Sequence, residues 1–82
     1  MSRIVVERTF ESPPSDDDMD EGADRERPCR EIYGVTWKRS LLSNDRRRMV
    51  CEYEAPDAET VRKVQREAEL PFDRIYPAEV VE

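Results

Sequence analysis

The sequence contains no histidine. That absence removes the usual general base near neutral pH, the usual proton shuttle and the commonest transition-metal ligand. Imidazole-assisted serine or cysteine catalysis is excluded, both in one chain and in any assembly of identical chains. Cysteine is nearly as scarce. Cys29 and Cys51 stand far apart and form no CxxC pair, so they read as two reduced thiols, with Cys51 a small core residue. No apolar run approaches the roughly 20 residues that span a bilayer, and no signal segment opens the sequence. A cytoplasmic protein with no membrane partner is the expectation. Apolar side chains are few: 37% of the 82 residues are hydrophobic and 41% are charged. That is enough for one small domain over residues 1–82. It suits a subunit that buries a further face against a partner.

The formal charge is −6, and all of the excess is local. Residues 11–31 hold nine acids and three arginines, while the rest of the chain is balanced. A polyanion would be repelled by this segment, so nucleic acid is not an expected partner. Asp16, Asp18 and Asp20 have the spacing that opens a calcium loop. The sixth position is Glu21 instead of glycine, and the twelfth is Arg27 instead of a bidentate glutamate, so a solvated acidic surface is the better reading.

Periodicity orders the rest. Residues 3–10 alternate as a strand: Ile4, Val6 and Phe10 share one face, with Arg8 the charged exception, and Val5, Glu7 and Thr9 share the other. Residues 11–31 predict a short, poorly anchored helix around 16–26 that breaks at Pro28, with a second turn near 28–32, or partial disorder. Residues 35–42 and 46–54 flank Ser43-Asn44-Asp45 and predict an antiparallel hairpin. Met49, Cys51 and Tyr53 fall on one of its faces. Asp57 can cap a helix over 58–69 whose apolar stripe is Ala58, Val61, Val64 and Ala68. The last run, 72–81, contains Pro77, which cannot donate to a ladder, so this strand lies at a sheet edge, carries a bulge there or splits in two. The order is the ferredoxin-like βαββαβ pattern of the α+β class. It forms a four-stranded antiparallel sheet with both helices on one face and the other face open.

Two stretches are more specific. One is Val6-Glu7-Arg8-Thr9-Phe10. The other runs from Gly34-Val35-Thr36-Trp37 through Ser40, Ser43 and Asp45, then Cys51-x-Tyr53-x-Ala55-Pro56, Glu59-x-Val61-Arg62 and Leu70-Pro71-x-Asp73-x-Ile75. Together they resemble a bacterial family of small ferredoxin-like proteins of unknown function, labelled nickel-binding after one relative. The resemblance covers residues 3–10 and about 34–80 and departs over 11–33. It implies a homodimeric α+β barrel, two sheets face to face around a cavity, and divalent nickel. Metal-binding relatives are histidine-bearing in the second helix and the turn after it, where this chain has Gln65 and Leu70. Nickel at an N/O site prefers imidazole, so no metal or other cofactor is expected here.

The candidate ligand-binding residues are Glu7, Trp37, Lys38, Ser40 and Tyr53. Glu7 on the open face reads as an acid, base or ligand inside a dimer cavity, or as an ion pair with Lys38 or an arginine. Trp37 floors a ligand pocket or fills core or interface. Tyr53 and Tyr76 carry the same two readings. Arg46, Arg47 and Arg48 grip an anion, or the acidic segment, or lie in solvent. Cys51 is inert unless a cation lowers its pKa. No catalytic constellation emerges. The sequence therefore predicts a homodimeric binding protein holding a small molecule in the cavity between sheets. The alternatives are a cofactor-free dimeric-barrel enzyme of the oxygenase or isomerase type, and a regulatory partner docking through its acidic segment.

Overall fold

A computed structural model describes all 82 residues, Met1–Glu82. The elements run β1 (Ser2–Thr9), α1 (Asp16–Tyr33), β2 (Thr36–Leu42), β3 (Arg48–Ala55), α2 (Ala58–Glu67) and β4 (Arg74–Ala78). The strands form one antiparallel sheet in the order β2-β3-β1-β4. This is the expected βαββαβ arrangement. Ile4, Val6, Cys51, Tyr53 and Ile75 turn toward the helices and bury with Val61 and Val64 of α2. β4 pairs with β1 alone, so Pro77 sits at an edge, where a missing N–H costs no ladder bond.

β2 carries an irregularity that the alternation does not reveal. The register with β3 shifts between Trp37 and Arg39, with Trp37 opposite Tyr53 and Ser40 opposite Cys51. Strict alternation would send residues 37 and 40 to opposite faces. The extra residue, Lys38, lets both face the helices, while Arg39 and Leu41 turn to the helix-free side.

α1 departs most from expectation. It is one helix of 18 residues that passes through Pro28 without a break. Ser15 caps its start: the Ser15 hydroxyl accepts from Asp18 N at 3.0 Å, and the Asp18 carboxylate accepts from Ser15 N at 3.1 Å. Gly34 ends it at φ +69°, a conformation that favours glycine. Pro28 removes one internal hydrogen bond, a cost of about 3 kcal/mol in an isolated helix. Tertiary contacts offset it. Gly22 and Glu26 are buried, and Cys29 and Tyr33 pack against the core. Those four positions repeat at helical spacing. Ile32 lies off this stripe and is 74% exposed. The inward stripe has a glycine and a glutamate where apolar residues were sought, so it does not look like one.

Three further ties hold α1. Arg25 Nε donates to Ala68 O at 3.1 Å, behind α2. Arg46, in the β2–β3 turn, donates to Pro14 O at 3.0 Å and pairs with Asp16 at 2.8 Å. Arg47 donates to Glu11 O at 2.6 Å. The segment read as poorly anchored is fastened at its start and at its middle.

α2 starts at Asp57, whose carboxylate accepts from Thr60 N at 2.8 Å. The hydrogen bonds from Thr60 hold Asp57 below the usual carboxylate range, and those from Ser15 do the same for Asp18. A depressed carboxylate adds stability above its unfolded value of about 4, and that stability is lost as pH falls through the lower folded value. The melting temperature should therefore be level from neutrality to about pH 5 and fall below about pH 4. The Asp18→Asn/Asp57→Asn double variant should show a shallower fall in thermal melts followed by circular dichroism. An identical acid profile would show that the two caps contribute nothing.

Candidate functional site

A cleft of about 540 Å³ opens between α1 and the helix-covered face of the sheet. That size is within the usual range for small-molecule sites. Its origin is the composition of α1. A helix that presents glycine and glutamate inward cannot fill the space that large apolar residues would occupy. The walls are Phe10, Met19, Trp37, Met49 and Leu70, and the floor is polar.

Three buried side chains, Arg8, Glu26 and Tyr53, form that floor, and the fully buried Gln65 bonds to two of them from outside the cleft. Arg8 Nη2 donates to Gln65 Oε1 at 3.0 Å and to Tyr53 Oη at 3.4 Å. Gln65 Nε2 donates to Glu26 Oε2 at 2.8 Å, and the Tyr53 hydroxyl donates to the same oxygen at 2.7 Å. A guanidinium and a carboxylate are thus joined by two neutral bridges, each accepting from the cation and donating to the anion. This fixes the Gln65 amide orientation and the Tyr53 hydroxyl direction. Arg30 Nε lies 3.0 Å from Glu26 Oε1 as a charge contact, without an aligned hydrogen bond. Arg8 Nη1 donates to Pro71 O at 3.1 Å.

A second chain of contacts leads from the rim to the floor. Trp37 Nε1 donates to Ser40 Oγ at 2.9 Å, and the Ser40 hydroxyl donates to Cys51 Sγ at 3.1 Å. Arg8 Nη2 lies 3.8 Å from the same sulfur. Burial, reinforced by Cys51 and Glu26 beside it, raises the Tyr53 phenol far above its ordinary value, so the hydroxyl stays protonated at any physiological pH.

The five sequence candidates do not share one site. Trp37, Ser40 and Tyr53 line the cleft beneath α1. Lys38 is exposed at the irregularity in β2. Glu7 faces the helix-free side, where Arg74 pairs with it at 3.2 Å and the Tyr76 hydroxyl donates to it. The ion-pair reading of Glu7 holds, with Arg74 as the partner in place of Lys38. That hydrogen bond raises the Tyr76 phenol above its usual range. The helix-free face also carries Glu52 between Arg3 at 2.6 Å and Arg39 at 3.0 Å. Donation from Arg39 and then Arg3 holds Glu52 below the usual carboxylate value against the opposing effect of burial.

Sequence reasoning missed three residues of this buried network. Arg8 was visible as the one charge in the buried alternation of β1. Glu26 and Gln65 gave no such signal, because a lone acid in an acidic helix and a glutamine beside a valine stripe look like surface.

Comparison with known proteins fits this architecture. Residues 5–78 match the family described as nickel responsive protein SCO4226-like. The chain belongs to this family. The crystal structure of SCO4226 from Streptomyces coelicolor A3(2) superimposes with a TM-score of 0.87, covering 99% of this chain and 100% of that one at 15% sequence identity. At that identity the likeness establishes the SCO4226-like fold and nothing finer. No curated protein matches the chain.

The side chains of this SCO4226-like chain do not fit a nickel ion. No three cysteine, aspartate or glutamate side chains converge as a metal site. Cys51 is held by Ser40, and Cys29 Sγ reaches only the Arg25 carbonyl, at 3.8 Å. No helix is long and apolar enough to cross a membrane.

The polar floor should be fragile to one-sided changes. Gln65→Leu removes one bridge between the two charges and leaves each less well solvated, which should cost about 2–4 kcal/mol of unfolding free energy in urea. Tyr53→Phe should cost about 1–3 kcal/mol. Losses below about 0.5 kcal/mol in both would mean the buried charges are solvated by water instead of by each other.

Proposed function

We propose that the protein is a small-molecule-binding protein and that its ligand occupies the cleft between α1 and the sheet. The observation that carries this reading is the combination of apolar walls with a fixed polar floor, the usual make-up of a specific small-ligand site. The proposal moves the ligand from the cavity between two sheets to one within a single subunit. It needs no metal. Binding is favoured over catalysis by Tyr53, because its buried hydroxyl is already committed as a donor to Glu26 Oε2 at 2.7 Å. Glu7, the other candidate base, stands on the opposite side of the sheet beside Arg74. A response to nickel, as in the family's description, then need not involve a nickel ion on this chain.

Trp37 is the only tryptophan and stands at the cleft rim, so its emission should report occupancy. A ligand screen should find compounds that shift Trp37 fluorescence and raise the melting temperature saturably. Ala23→Phe, which fills the cleft from α1, should abolish both responses and leave the circular dichroism unchanged. Unaltered ligand responses in that variant would move the site elsewhere.

A homodimer through the helix-free face is a second part of the reading. Leu41 is 58% exposed there, paired across the hairpin with the half-buried Val50, and exposed apolar surface gains from a cover. Sedimentation at micromolar concentration should give twice the chain mass, and Leu41→Glu should return the monomer. A wild-type monomer would remove the dimer and leave the cleft reading untouched.

A further inference from the structure

The floor of the cleft is not neutral. Arg8 is 8% exposed and has no carboxylate within ion-pair distance. Its links are to uncharged groups: Gln65, Tyr53, Cys51 and the Pro71 carbonyl. Glu26 is the single buried acid nearby, and its oxygens are committed. Oε1 faces Arg30, and Oε2 accepts from Tyr53 and Gln65. Two guanidinium groups therefore share one carboxylate. One positive charge is left over at the base of a mostly apolar cleft.

An isolated buried charge is costly unless something pairs with it. Arg8 keeps its Nε–H and one Nη1–H without a protein partner. The two lie on different sides of the guanidinium, so each offers a carboxylate oxygen a single charge-assisted hydrogen bond. The walls above Arg8, formed by Phe10, Met19, Trp37 and Met49, offer nothing to a second charge.

We infer that the cleft binds a small apolar monocarboxylate, its anionic end on Arg8 and its hydrocarbon or aromatic body along Phe10, Met19, Trp37 and Met49. This rests on the cleft being the ligand site and names the ligand class. A monoanion matches the single surplus charge, and a phosphate dianion would overshoot it. The acids at the rim do not forbid entry. Asp18 is held by the cap at Ser15, Asp20 is exposed to solvent, and Arg25, Arg27 and Arg30 stand on the same rim.

The test compares 3-phenylpropionate with its uncharged counterpart, 3-phenylpropan-1-ol, on the full-length wild-type protein. Calorimetry gives the affinities and Trp37 fluorescence gives the place. The acid should bind at least about tenfold more tightly, the difference made by a charge-assisted hydrogen bond. Arg8→Lys keeps the charge and loses the directed guanidinium N–H. It should weaken the acid at least about fivefold and leave the alcohol unchanged. Equal affinities for acid and alcohol, with a Trp37 response to both, would overturn the carboxylate assignment and keep the cleft as a binding site. No saturable Trp37 response to either compound at millimolar concentration would overturn the assignment too. In that case Ala23→Phe tells whether compounds of other chemistry still enter. The comparison of ligands on the wild-type chain stands even if Arg8→Lys does not fold.

Discussion

The pairing of Arg8 with Glu26 through Gln65 and Tyr53 is the constraint from which most of this molecule follows. It ties β1, β3, α1 and α2 to one another at a single buried point. Opposite charges inside a small domain cost heavily unless their hydrogen bonds are complete. Here the bonds that join them need four side chains from four elements. That requirement fixes how α1 is rotated and how far from the sheet it stands. It also explains why a helix with an internal proline and very little apolar surface is retained.

The cleft is a by-product of the same arrangement. Because α1 turns Gly22 and Glu26 inward, it cannot close over Phe10, Met49 and Trp37. The space that results has a charged base and greasy sides. In a chain this short of apolar residues, such a space is a large sacrifice of packing, since empty apolar volume forfeits contacts. Occupancy by a ligand would restore those contacts. The helix-free face is built differently: its charges pair with each other along the sheet, with Glu52 between Arg3 and Arg39 and Glu7 beside Arg74.

Family membership and the absent histidines pull in opposite directions, and the geometry reconciles them. The SCO4226-like fold is present over nearly the whole chain. The second-helix position that carries histidine in metal-binding relatives by the sequence resemblance is Gln65 here, and Gln65 bridges two buried charges. An amide can accept from one partner and donate to the other at once, which suits that task. One position thus supports a buried network in this chain, where an imidazole would offer a ligand to a metal.

Alternation in β1 and β3, the Asn-Asp turn between β2 and β3, the cap at Asp57 and the edge proline at 77 were legible in the sequence, because each depends on neighbours a few residues away. So was the lack of histidine, which is a matter of composition. The continuous α1, the inward side of Trp37 and Ser40, and the partnership of Arg8, Glu26, Tyr53 and Gln65 were decided by the tertiary structure. A proline is tolerated or not according to what the rest of its helix touches. One extra residue in β2 re-aims two side chains without altering the composition of the strand. Residues 8, 26, 53 and 65 meet only when all four elements are in place, and the energy that joins them comes from a burial that no local stretch of sequence contains.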